Sequence, residues 1–250
     1  MNFTEFSSTL TAAMEENGIS SLLTPEASEH LFFLANFLIS ENQKYNLTAI
    51  KEHIPIIYKH FVDSLLLSAH IPENSTVIDV GCGAGFPSLP LAIARPDLKI
   101  TSLDSTDKKI TFIKLCAAEL KLDNITAITA RAEEAANGTS KTCNIPLRET
   151  FDIATARAVA SLPVLCELCI PFLKVGGRFV SMKGPDGADE FDSCHSYLPK
   201  IKAGNQSLTN YSLFYPDCAE VRTIISIEKL GKTPENFPRN YSQIRKKPLA

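Results

Sequence analysis

Long apolar runs are missing from this chain of 250 residues. The longest candidate, Leu31 to Ile39, is interrupted by Asn36 and falls well short of the roughly 18 residues that cross a bilayer, which argues against a membrane-spanning helix. Basic residues are missing from the beginning. The first Lys or Arg is Lys44, so the positive region of a secretory signal is absent and the cytoplasm is the expected compartment. Cysteines number seven, an odd count that argues for reduced thiols in a chain that is not exported. What is present is ordinary for a globular protein: 44% apolar and 21% charged residues, with a mean hydropathy of +0.01. The length suits one large domain, or a main domain with a small extension. The net charge of −3 hides a division. Residues 1–43 carry six acids (Glu5, Glu15, Glu16, Glu26, Glu29 and Glu41) and no base, so this segment is −6 and the remainder +3. Only the total speaks against a nucleic-acid partner.

The first seventy residues read as helices. Phe3, Phe6, Leu10 and Ala13 recur at helical spacing before Gly18, a second helix runs from near Pro25 towards Lys44, and a third covers about Ile56 to Leu67. Beyond Pro72, short β-rich runs alternate with helical ones. The strands are Thr76–Val80, Ile100–Leu103, Ile125–Thr129, Phe151–Ala154 and Arg178–Met182, with helices after Pro87 and over Lys108–Leu122 and Leu162–Leu173. That alternation predicts an α/β fold with a mostly parallel sheet covered on both faces. Two last candidates, Leu208–Leu213 and Arg222–Lys229, lack a helix between them and read as an antiparallel pair closing one edge, for seven strands in all. Asn137–Glu149 is polar and reads as a surface loop. The expected organisation is a helical extension over 1–72 and a main domain over 73–250.

The densest stretch is Val77-Ile78-Asp79-Val80-Gly81-Cys82-Gly83-Ala84-Gly85-Phe86-Pro87, an apolar strand running into three alternate glycines and then a helix. Such glycines permit a tight turn and let a ligand approach the backbone, and the following helix start offers unpaired N–H groups. A dinucleotide fingerprint places glycine where this chain has Phe86, which fits pyrophosphate binding badly. Asp104 ends the second strand, and a carboxylate there can accept hydrogen bonds from both ribose hydroxyls. Loop and acid together point to a nucleoside-containing cofactor.

The string Asp-Val-Gly-Cys-Gly-Ala-Gly-Phe-Pro resembles the first motif of Rossmann-like, class I S-adenosylmethionine-dependent methyltransferases. Other strings agree and occur in order: Tyr45-Asn46-Leu47-Thr48-Ala49-Ile50, His60-Phe61-Val62-Asp63-Ser64-Leu65, Leu103-Asp104-Ser105, Arg131-Ala132-Glu133, Thr155-Ala156-Arg157-Ala158-Val159-Ala160 and Lys183-Gly184. Over roughly residues 30–250 the chain is similar to the ribosomal RNA small-subunit methyltransferase G family, also called glucose-inhibited division protein B. The resemblance implies methyl transfer from S-adenosylmethionine to N7 of a guanine in the 530 loop of bacterial 16S rRNA, nucleotide 527 in standard rRNA numbering. It implies cofactor contacts at Gly81, Phe86, Ala132, Glu133 and Arg157, beside Gly83, Gly85 and Asp104 of the loop reading. In physical terms, Phe86 can wall the site and Arg157 can pair with the cofactor carboxylate. For RNA, Lys183 lies past the fifth strand, and Arg239, Arg245, Lys246 and Lys247 make a basic tail. The partner is 16S rRNA or the small subunit, with a monomer as the default. The chain departs from the family at Glu41, where members usually have Trp, at Ser88, which replaces a glycine, and at Ser242 and Ile244, which replace Gly and Pro.

Guanine N7 carries a lone pair and no proton, so the chemistry needs alignment more than a base. The sequence has no Pro-Pro pair, hence no Asx-Pro-Pro-aromatic motif of amino-group methyltransferases, and no Pro-Cys pair to bear the thiol of cytosine-C5 enzymes. No catalytic residue is expected, and no metal. Cys166-Glu-Leu-Cys169 sits inside an apolar helix candidate without a second pair at zinc spacing, and reads as core. His60, three before Asp63, reads as packed or hydrogen-bonded, with a place beside the target base as the sharper alternative. Two rival readings remain: a nicotinamide-dependent oxidoreductase, disfavoured by Phe86, and a non-catalytic RNA-binding protein with the same fold.

Overall fold

A computed structural model describes residues 1–249 except 158, 159, 186, 193 and 217. Ala158 and Val159 of the predicted Arg157 motif therefore lie outside the described residues. The N-terminal part is helical: α1 (Phe3–Glu16), α2 (Pro25–Tyr45) and α3 (53–70). Asn2 opens α1 with a reciprocal cap, its side chain accepting from the Glu5 N–H at 3.0 Å while the Glu5 carboxylate accepts from the Asn2 N–H at 3.1 Å. Thr24 caps α2 and Pro25 fills its first turn. α3 extends beyond the predicted span at both ends and is not uniform. Its middle, Ile57–Val62, is a π-type stretch between α-helical turns, a widening that re-aims the side chains carried there.

Seven strands follow: β1 (Thr76–Val80), β2 (Lys99–Asp104), β3 (Ile125–Thr129), β4 (Phe151–Arg157), β5 (Leu173–Lys183), β6 (Ala203–Phe214) and β7 (Ala219–Lys229). Their order is β3-β2-β1-β4-β5-β7-β6. The first five pair in parallel, and β7 runs antiparallel to both neighbours. The last two strands do form the expected antiparallel pair, but the later one inserts beside β5, leaving β6 as the edge. Short helices absent from the sequence reading occur at Ala132–Ala136, Gly187–Asp192 and Tyr241–Lys246. Each has at most six residues, too few for a periodic pattern to declare itself. The predicted helix over Leu162–Leu173 ends at Cys169, where a 3₁₀ turn containing Pro171 leads into β5.

Strand alternation divides the core. Val77, Ile100 and Val180 pack on one face with Phe6, Leu10, Leu31, Leu34, Leu38 and Phe61, so residues 1–72 share one apolar cluster with the sheet. Ile78, Val80, Leu103 and Ala154 pack on the other face with Leu165, Ile170 and Phe172. Cys166 and Cys169 are buried here as free thiols. Among the described residues no helix is long and apolar enough to cross a membrane, and no group of three or more His, Cys, Asp or Glu is arranged to hold a metal ion.

Candidate functional site

The carboxyl ends of β1, β2, β4 and β5 open into a cleft of about 740 Å³. Gly81, Gly83, Phe86, Asp104, Ala132, Glu133, Arg157 and Lys183 all line it; Gly85 does not. The loop after β1 owes its shape to its glycines. Gly81, Gly83 and Gly85 have φ of 73°, 59° and 89°, which L side chains resist. Gly85 instead faces the helix Ser88–Ala94, and a Cβ there would stand 2.6 Å from Leu89 Cδ1. The loop is tied to β2 through the Gly81 and Cys82 N–H groups, which donate to the Leu103 carbonyl at 2.7 and 3.1 Å.

Asp104 closes the same junction. One carboxylate oxygen accepts from the Gly83 N–H at 3.0 Å and the other from the Thr106 N–H at 2.8 Å. An ionised carboxylate has about four acceptor positions, so each oxygen keeps one for a ribose hydroxyl. Beneath the loop, Asp79 is buried. Its Oδ2 accepts from the Ser88 hydroxyl at 2.6 Å, while Oδ1 has no hydrogen-bond partner among the described residues. Burial pushes this carboxyl up to about 6, against the lowering pull of Ser88 and Arg157. Ser88, a departure from the family pattern, thus supplies the one hydroxyl that Asp79 uses.

At the opposite wall, the π-type stretch of α3 brings His60 over the loop. Its ring stacks on Phe86 with centroids 4.2 Å apart and planes 7° from parallel. His60 also meets the Thr48 hydroxyl at 3.1 Å through Nε2, and Arg157 Nη2 at 3.4 Å through Nδ1. Burial, reinforced by the Arg157 charge, pushes its pKa down to about 3, so the imidazole is neutral at physiological pH. Arg157 lies 5.8 Å from the Phe86 centroid and donates to the Lys59 carbonyl and to Asp63, both at 3.0 Å. Asp63 receives a second guanidinium, Arg222 of β7, at 3.2 Å. The expected pairing of Arg157 with a cofactor carboxylate therefore competes with an ion pair already made, although Arg157 has N–H donors to spare.

The predicted RNA-binding cations fall into two groups. Lys183 is satisfied internally, donating to the Ala160 carbonyl at 2.8 Å and pairing with Glu190 at 2.9 Å. Arg239 grips the fully buried Glu167, with contacts of 2.8 and 2.6 Å, and donates to the Lys247 carbonyl. Arg245, Lys246 and Lys247 are exposed on and after the last helix. Among the N-terminal acids, Glu41 is not uncompensated as its sequence context implies: it is buried and paired with Lys44 at 2.7 Å. Asp63, Arg222 and Tyr241 line the cleft without having been singled out as site residues. Asp63 had a signal in its motif with His60; Arg222 and Tyr241 reach the cleft only through the tertiary fold.

Residues 27–212 match the family described as rRNA small subunit methyltransferase G (GidB). Proteins named ribosomal RNA small subunit methyltransferase G are similar over nearly the whole length. That of Lactobacillus helveticus is 38% identical, covering 91% of this chain and 93% of its own, and that of Acetivibrio thermocellus is 39% identical, covering 93% of each. Among solved structures, an S-adenosylmethionine-dependent O-methyltransferase from Thermotoga maritima superposes with a TM-score of 0.50 at 16% identity, covering 79% of this chain and 72% of its own, a likeness of fold alone.

Proposed function

Because the chain belongs to the rRNA small subunit methyltransferase G family, we propose that it transfers the methyl group of S-adenosylmethionine to N7 of a guanine in the 530 loop of bacterial 16S rRNA, nucleotide 527 in standard rRNA numbering. The observation that carries this reading is the junction of glycine loop and Asp104, where a glycine-rich turn faces a carboxylate that keeps two open acceptor positions. The donor set fits a nucleoside cofactor, and Phe86 in place of a third fingerprint glycine disfavours a dinucleotide.

S-adenosylmethionine supplies an activated methyl group: the N7 lone pair forms the new N–C bond, the C–S bonding pair stays on sulfur, and no proton moves. The protein then needs no general base. Gly81 and Gly83 add no side chain of their own to the cleft, Asp104 would accept hydrogen bonds from the ribose hydroxyls, and Ala132 with Glu133 would bound the adenine end. The His60–Phe86 stack makes a flat wall that is itself uncharged at neutral pH, and the Asp63 carboxylate offsets the Arg157 guanidinium beside it. Arg157 is held against that wall with donors left for a carboxylate. The partner is 16S rRNA, free or within an assembling small subunit in the cytoplasm.

Incubation with labelled S-adenosylmethionine and unmethylated 16S rRNA or small subunits, followed by borohydride and aniline cleavage, should give a new break in the 530 loop. No break on any substrate form, with S-adenosylhomocysteine still bound, leaves only an RNA-binding protein. NADH binding without S-adenosylhomocysteine binding would establish the oxidoreductase reading instead.

A further inference from the structure

A second opening of about 670 Å³ adjoins the cleft and shares Arg131, Glu133 and Tyr241 with it. Its far side is the tail helix, which contributes Arg245 and Lys246. The tail is a built element. Arg239 anchors it to Glu167, Ile244 is fully buried and Leu249 nearly so, and Arg148 holds the preceding segment through the carbonyls of Thr233, Pro234 and Phe237. What this anchoring presents is a fixed shelf with Arg131 on one rim, Arg245 and Lys246 on the other, and the half-buried Tyr241 between them.

The charges on the shelf differ from the other predicted RNA-binding cations in one respect. Lys183 and Arg239 are spent on Glu190 and Glu167, whereas Arg131, Arg245 and Lys246 join no ion pair among the described residues. Two acids, Glu133 and Glu134, also line the opening against the three basic residues, leaving an excess of one positive charge, and Glu134 offers an acceptor for an exocyclic amino group. Unpaired bases flanking an aromatic side chain are what a single-stranded nucleic acid uses: cations take phosphates and the ring takes a base face.

Resting on the methyltransferase reading, we infer that this shelf binds the single-stranded RNA segment flanking the target guanine, with phosphates on Arg245 and Lys246 and a neighbouring base against Tyr241. The RNA then enters the cleft from the tail side, past the adenine end, and the N-terminal acids lie off its path.

The test is RNA binding by the Arg245→Glu, Lys246→Glu double variant, titrated with a 530-loop RNA fragment and with small subunits across a salt series, with S-adenosylhomocysteine affinity as the control. Affinity for RNA should fall roughly tenfold or more at low salt. Loss of two phosphate contacts should also flatten the slope of log Kd against log salt by roughly 1.5, while S-adenosylhomocysteine affinity stays within about twofold. Tyr241→Ala should weaken RNA binding with the salt slope unchanged, and Tyr241→Phe should restore it. Unaltered affinity and slope in the double variant would overturn the inference. So would weaker binding to small subunits with the salt slope and naked-RNA affinity intact, which would assign the shelf to a ribosomal protein. Failure of wild-type protein to bind S-adenosylhomocysteine would sink the methyltransferase reading instead, and the RNA titrations would still decide the shelf.

Discussion

The two ends of the cleft are built in opposite ways. At the end formed by α3, β4 and β7, the charged groups and the imidazole are already partnered: Thr48 meets His60, His60 meets Arg157, and Asp63 holds both Arg157 and Arg222. At the tail side, Arg131, Arg245 and Lys246 stand without an ionic partner among the described residues, on a scaffold that is itself firmly packed. The first end is organised before any ligand arrives, which is the condition for alignment to lower a barrier. The second keeps its charges available, which is the condition for binding a polyanion. A basic residue in a sequence is therefore not yet a phosphate contact; what counts is whether the fold has already given it an acid.

The largest effect should come at the organised end. Asp63→Ala leaves two half-buried guanidiniums without their shared carboxylate and should cost roughly 3 kcal/mol in denaturant unfolding, with methylation falling as well. A loss under 0.5 kcal/mol would mean the network is incidental. Asp79→Asn sharpens the same contrast through pH. The folded carboxyl near 6 lies above the 3.8 ordinary for an aspartate, so protonated Asp79 contributes stability that is complete below about pH 4 and lost as pH rises through 6. The variant does not titrate, so its stability relative to wild type should climb between pH 4 and 7 by on the order of 3 kcal/mol, read from melting curves in the absence of cofactor. A flat difference would show that Asp79 is ionised throughout. The smallest effect belongs to the N-terminal helices: reversing Glu15 and Glu16 together to Lys should leave rRNA affinity within about twofold, since both are exposed, line neither opening, and are screened by salt. A large gain in affinity would place those helices beside the RNA.

Most of the sheet was legible because its strands are short apolar runs separated by helices and turns, and the glycine loop with Asp104 announced the cofactor end through residue types whose purpose is backbone freedom and charge. The position of β7 inside β6 was not legible, since hairpin spacing fixes the pairing of two strands but not which of them faces β5. Arg222 was invisible for the same reason. Lys183 and Arg239 were identified as cations, but Glu167 reaches Arg239 across 72 positions, and Glu190, only seven residues after Lys183, is brought back to it by a short helix that no periodic pattern announces. Glu41 shows the reverse error, an acid counted as free although its base, Lys44, is three residues on. Ile244, a departure from the family's tail motif, is absorbed as a core residue.

The Asp63–Arg222 pair joins residues 159 positions apart, whereas Gly81, Gly83 and Asp104 are gathered from adjacent strands and their loop. Closing the longer loop costs more chain entropy. The two halves of the cleft consequently differ in how much of the chain each one needs. The junction of Gly83 and Asp104 needs only β1, β2 and the segment between them, whereas the Arg157–Asp63–Arg222 wall is complete only with β7 in place beside β5.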